Sequence, residues 1–179
     1  IIGFTNGPCN YGPSRKLTGQ PKEVFAIMNY AVDDNERPIF YKKVVETVVH
    51  EFCHSFTKIK GDTEKALEKS GKALQEYTYF SMRRQAYSTW RNILEESLVR
   101  AATICYLIDH NYDEKDIRNA IIEQVDRNFF WMPELVQTLR YYESHRKKYP
   151  TFTSFYPEII RFFDRYVADV EKEIQKALK

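Results

Sequence analysis

The spacing of apolar residues changes character once along this chain. Between Glu23 and Val32 it alternates: Val24, Ala26, Met28, Tyr30 and Val32 share one face of an extended segment, although Phe25 and Ile27 are apolar on the other. Ile1–Phe4 is a short apolar run that predicts a further strand. Thr5–Gly19, rich in Gly, Pro, Asn and Ser and holding Asn10-Tyr11-Gly12, predicts a loop. Asp33-Asp34-Asn35-Glu36-Arg37-Pro38 predicts a turn. Ile39–Tyr41 leads onward, and from there the apolar period is helical to the end.

The first predicted helix is Lys42–Lys58. Val44, Val45, Val48, Val49, Phe52 and Phe56 cover most of its circumference, which predicts a central helix. Gly61-Asp62 ends it and caps a second helix running to about Arg84, with a Lys- and Glu-rich solvated face. Ser88 or Thr89 caps a third helix to about Asp109, its inward stripe being Trp90, Ile93, Leu94, Leu98, Ala101, Cys105 and Ile108. A fourth runs from Asp113 to about Asn128. Phe129-Phe130-Trp131 connects it to a fifth, opened by Pro133 and reaching about Lys148. After the break at Tyr149-Pro150-Thr151-Phe152, Pro157 opens the last helix, with Ile160, Phe163, Val167, Val170 and Ile174 inward. Strands first and helices after give an α+β, mostly α-helical domain with a short N-terminal sheet. It is read as one domain over 1–179: a strand and loop lead-in to residue 41, helices carrying the chemistry over 42–110, and C-terminal helices over 111–179.

Composition narrows the function. The 179 residues are 43% hydrophobic and 29% charged, ordinary for a globular domain with a substantial core. The formal net charge is +2 with basic residues spread along the chain, which does not make a nucleic-acid groove. No apolar run approaches the ~18 residues of a membrane span. Cys9, Cys53 and Cys105 are an odd set without a C-x-x-C pair, so neither a disulfide framework nor a ribbon-type zinc site is expected. The chain starts at Ile1 with no signal peptide before it, the pattern of a processed or trimmed form, and it is expected to be a monomer.

Chemistry is concentrated in His50-Glu51-Phe52-Cys53-His54, an H-E-x-x-H pattern inside the first predicted helix. Helix positions four apart lie one above the other, so His50 and His54 can offer two imidazole nitrogens to one Zn²⁺. Glu51 sits beside the first ligand, where a general base can reach a metal-bound water. Cys53, between the histidines, is expected to pack as a small buried apolar residue. A catalytic zinc takes a third protein ligand. The metzincin continuation fails, because Thr57 and Lys60 stand where its glycine and third histidine belong. His110 and His145 are the remaining histidines, and Glu95-Glu96 stands on the third predicted helix. Adjacent helix positions point ~100° apart, and Glu95 and Glu96 fall on opposite flanks of the apolar stripe. Helical arithmetic therefore leaves the choice between them open.

A helical H-E-x-x-H followed by a glutamate on a later helix resembles the gluzincin group of zinc metallopeptidases. More narrowly, the chain resembles a family of bacterial, mostly exported proteins grouped as a domain of unknown function with this motif. The likeness is carried by Asn10-Tyr11-Gly12, the motif helix, Glu96-Ser97-Leu98-Val99-Arg100-Ala101, and the stretch from Trp131 through Tyr149-Pro150-Thr151-Phe152 to Phe155-Tyr156-Pro157. The resemblance implies a zincin-like metallopeptidase domain in an extracytoplasmic location. It implies His50, His54 and Glu96 as zinc ligands and Glu51 as the base. Well-studied gluzincins carry an acidic residue one turn after the ligand glutamate; this chain has Arg100, placed to hold a carboxylate nearby.

The expected activity is hydrolysis of a peptide or protein substrate by metal-activated water, with Glu51 as general base. Tyr142, His145 and Arg146, at i, i+3 and i+4, are candidate donors to the tetrahedral oxyanion. The Glu23–Val32 segment either borders the cleft, adding a substrate strand, or is an ordinary sheet strand. Hydrolysis of a non-peptide amide would use the same groups. The rival reading is a non-catalytic helical module with a structural or vestigial zinc site. Glu51 separates them, since a closed structural site has no use for a base beside the metal.

Overall fold

The computed structural model describes residues 9–29, 31–39 and 42–179, so the strand expected at Ile1–Phe4, and residues Tyr30, Phe40 and Tyr41, lie outside the described residues. The N-terminal alternation does not make one strand. β1 (Ser14–Arg15) pairs antiparallel with β2 (Glu23–Val24), Ser14 opposite Val24. β3 (Ala31–Val32) pairs with β4 (Pro38–Ile39) in a separate two-stranded sheet. In between, Tyr11 and Ile27 exchange both backbone hydrogen bonds, at 2.9 and 2.8 Å. Pro13 explains the interruption: its carbonyl accepts from Phe25 N–H at 2.9 Å, but without an N–H it returns nothing to the ladder. The expected turn is present. The Asp33 carboxylate accepts the N–H groups of Asn35 and Arg37, each at 2.9 Å, and Glu36 takes a left-handed φ of 62°. The Arg37 N–H, above all, holds the Asp33 carboxyl below the usual carboxylate range.

The chain forms two compact units, Ile1–Lys58 and Ile59–Lys179. The first holds these strands and α1 (Lys42–Cys53). α1 is shorter than its apolar period predicts. The N–H groups of Ser55 and Phe56 turn back to the carbonyls of Phe52 and Cys53, and the Thr57 hydroxyl donates to the Cys53 carbonyl at 3.1 Å, which closes the C-terminus early. It is also not buried all round, since Val45, Phe52 and Phe56 are exposed.

The second unit is helical: α2 (Asp62–Tyr77), α3 (Tyr79–Arg84), α4 (Trp90–Asp109), α5 (Glu114–Asp126), α6 (Met132–Ser144) and α7 (Phe152–Ala177). Asp62 and Glu64 place negative charge in the first turn of α2, where the helix dipole favours it. The helix expected to continue to Arg84 breaks at Thr78, whose hydroxyl bonds back to the Leu74 carbonyl at 2.7 Å. Thr89 caps α4 by accepting from Asn92 N–H. α7 begins five residues before Pro157. Thr151 and Ser154 satisfy each other's backbone N–H groups in a capping box, so Pro157 falls inside the helix rather than opening it.

α4 is the spine of this unit, packed by α2, α5 and α6. Its Ile93, Leu94, Leu98, Ala101 and Cys105 are buried together with Leu67 and Leu74 of α2, Leu135 and Leu139 of α6, and Phe155, Ile159 and Phe163 of α7. Two polar groups inside are paired with each other: Trp131 Nε1 donates to Ser97 Oγ at 2.9 Å, and Ser97 Oγ donates to the Ile93 carbonyl at 2.7 Å. α2 lies tight against α4 at Gly71, where an added Cβ would lie 2.5 Å from the Trp90 ring and 3.2 Å from Leu94. At an open helix position Gly→Ala stabilises by ~1 kcal/mol. Here Gly71→Ala is expected to lower stability instead, because overpacking costs about 1–3 kcal/mol. Urea denaturation of the two proteins decides the sign.

Candidate metal centre

His50 lies in the last turn of α1, and His54 in the turn that follows it. Their rings stand edge to face, centroids 5.0 Å apart at 84°, as the four-residue spacing dictates. Between them Cys53 is partly buried, and burial pushes its thiol up to about 11, so it is neutral at pH 7. Glu51, on the same turn, is 7% exposed. Its backbone is met from the side by Gly12, where an added Cβ would lie 1.8 Å from the Glu51 carbonyl oxygen. Asn10 and Tyr11 hold Gly12 there. Asn10 Oδ1 accepts from Asn29 N–H at 2.7 Å, and Tyr11 bridges Ile27. The Asn-Tyr-Gly stretch thus packs onto the H-E-x-x-H helix, and only glycine fits its last position.

Glu95 and Glu96 have different surroundings on α4. Glu95 accepts from the Ile59 backbone N–H at 2.9 Å, and its charge joins burial in raising the pKa of the Tyr156 phenol. Glu96 is buried and paired to Arg100, Nη2 to Oε1, at 2.8 Å. Arg100 Nη2 also donates to the Tyr87 hydroxyl at 3.0 Å, and Nη1 to Gln124 Oε1 at 2.6 Å. The guanidinium stacks 5.1 Å from the centroid of the Phe129 ring. Burial first, and then the Glu96 carboxylate, push the Tyr87 hydroxyl above its usual range.

His50, His54 and Glu96 form a group that could hold a metal ion: one ligand atom from each, all within 4.8 Å of one another.

The other residues singled out from the sequence have different partners. Tyr142 packs its ring on Phe152 and Phe155. His145 stacks on Tyr141, with Nδ1 2.9 Å from the Tyr141 carbonyl. Arg146 lies 4.6 Å over the Tyr142 ring and donates to the Pro150 carbonyl at 2.9 Å. These contacts fasten the connection from α6 to α7. His110 does the same at the end of α4, stacked on Tyr106 with Nδ1 2.9 Å from its carbonyl. Sequence reasoning missed Tyr87 and Gln124, the partners of Arg100. Neither stands in a motif or on an apolar stripe, and tertiary packing alone brings them to α4.

Fold and site together define a mostly helical domain with a two-histidine, one-glutamate group able to hold a metal. The chain belongs to the family described as a domain of unknown function (DUF4932), whose model matches residues 6–162. No curated protein and no solved structure matches it. No helix among the described residues is long and apolar enough to cross a membrane.

Two substitutions separate the adjacent glutamates. Glu96→Ala is expected to lose metal affinity sharply. Glu95→Ala should keep it and lower stability by about 1–2 kcal/mol, the cost of a backbone donor left without its acceptor. Metal titration and thermal unfolding of both variants check this, and the reverse pattern would exchange their roles. Gly12→Ala is expected to displace α1 or the Asn-Tyr-Gly stretch, weakening metal binding although no ligand is changed. The same titration measures it.

Proposed function

We propose that this domain is a zinc-dependent peptidase. The observation that carries the reading is a buried carboxylate, Glu51, next in sequence to one member of a His-His-Glu group. Two imidazoles and one carboxylate are a ligand set of catalytic zinc, which keeps a position open, whereas structural zinc sites close with four protein ligands. Zinc held there would polarise a substrate carbonyl and make a bound water acidic.

The roles of the chain's own groups follow. His50, His54 and Glu96 would hold the ion, through one imidazole nitrogen each and a carboxylate oxygen. Glu51 takes a proton from the attacking water on its carboxylate and returns it to the leaving amine nitrogen, ending the cycle ionised. The substrate class is a peptide or protein, which the likeness to gluzincins supports.

The test is direct. The purified chain should bind one zinc and cleave members of a peptide library. A chelator should abolish cleavage, and added zinc should restore it. Glu51→Gln should retain zinc while activity falls at least ~10²–10⁴-fold, the usual share of general acid–base catalysis. Cleavage that survives chelation, or loss of zinc in Glu51→Gln, would overturn the assignment. Zinc retained with no cleavage of any library member would favour the non-catalytic module.

A further inference from the structure

Arg100 occupies a position that core packing does not explain. It is nearly as buried as Glu96, with side chains 11% and 7% exposed. Its terminal nitrogens meet three groups from three places: Glu96 on the same helix, Tyr87 in the segment before α4, and Gln124 on α5. Phe129 covers its face. Gln124 is itself fixed, its amide nitrogen donating to the Ala120 carbonyl at 3.3 Å. Nε of Arg100 is buried with no hydrogen-bond partner. A buried guanidinium with an orphaned donor is costly, and a well-packed apolar side chain would serve the core as well or better. The cost is accounted for if holding Glu96 is what the arginine does.

We propose that Arg100 is a positioning residue: it fixes the Glu96 carboxylate in the orientation that a metal shared with His50 and His54 requires. The inference rests on the metal reading above but not on peptidase activity. A carboxylate offers about four lone-pair sites on two oxygens, so the oxygen bound to the guanidinium still leaves acceptor capacity for an ion. The planar fork matters because it meets several partners in fixed directions, which a lysine ammonium cannot do. Tyr87 takes part from the other side, its hydroxyl accepting from Arg100 Nη2 at 3.0 Å, and the Glu96 charge adds to burial in pushing that hydroxyl above its usual range. A hydrogen-bonded partner that orients a metal ligand is commonly worth 10–100-fold in metal affinity.

The sign of the effect makes the proposal testable. A cation beside the site also repels a dication. If charge were all that Arg100 contributed, removing it would tighten metal binding; if it orients Glu96, removing it weakens binding. The experiment is competition titration of zinc against a chromophoric chelator, with thermal unfolding run in parallel. The proteins are the parent chain, Arg100→Met, Arg100→Lys and Tyr87→Phe, and Arg100→Met combined with Glu96→Ala. Expected are a 10–100-fold loss of zinc affinity in Arg100→Met, incomplete rescue in Arg100→Lys, and a loss of a few fold in Tyr87→Phe. In the Glu96→Ala background, Arg100→Met should cause no further loss, because the residue acts through Glu96.

A purely structural arginine would lower the melting temperature alike in both backgrounds and leave zinc affinity unmoved. Zinc bound by Arg100→Met as tightly as by the parent, or more tightly, overturns the proposal. So does a further loss in the Glu96→Ala background. If Arg100→Met does not fold, Tyr87→Phe carries the test, and unchanged affinity there overturns it. A parent chain that binds no zinc overturns the metal reading and this inference with it, so the two failures are distinct.

Discussion

A negative charge inside the helical unit has to be met from within, because water does little of the work there. Glu96 sets that requirement, and much of the second unit is arranged around it. Arg100 answers it from one turn along α4, and Tyr87, Gln124 and Phe129 hold Arg100. The next residue, Ser97, is tied to Trp131, and Ile93, Leu94, Leu98 and Ala101 bury the rest of the helix. α4 is therefore fixed in rotation as well as in position. A turn of a few tens of degrees about its axis would break the Arg100 bonds to Tyr87 and Gln124, the Trp131 bond and the bond from Ile59 to Glu95 at once.

The first unit shows the same economy on a smaller scale. Its strands are two residues long, too short to be stable alone. Their use is to bring one edge against α1. Tyr11 and Asn10 tie that edge at two points to the segment around Ile27 and Asn29. Gly12 then lies against the carbonyl of Glu51. A helix carrying a buried carboxylate gains a backbone neighbour from a stretch whose local composition predicts a loop.

How much was legible in the residues follows from what each signal measures. The helical period located every long helix, because burial of one face is what periodicity records. Its ends were harder. Thr78 breaks α2 through its own side chain, and Thr151 with Ser154 starts α7 ahead of Pro157; both are local polar bonds that a count of apolar residues does not see. The histidine pair was legible because four residues of helix set its geometry. The choice between Glu95 and Glu96 was not, since both flank the stripe and the partners that tell them apart, Ile59 and Tyr87, lie in other segments. α6 ends at Ser144, short of the predicted helix, so Arg146 lies over Tyr142 while His145 stacks on Tyr141, and what they meet, Phe152, Phe155 and the Tyr141 and Pro150 carbonyls, lies beyond the reach of spacing.

Trp131 gives the protein a built-in optical gauge. Its indole is 1% exposed, and its N–H is held by the hydroxyl of the residue that follows Glu96. An indole so enclosed emits at short wavelength and exchanges its ring hydrogen slowly. Trp90, the other tryptophan, is only half-buried at the start of α4. The two rings thus read opposite conditions of one helix: Trp90 responds when its first turn frays, and Trp131 only when the interior beside Glu96 opens to water.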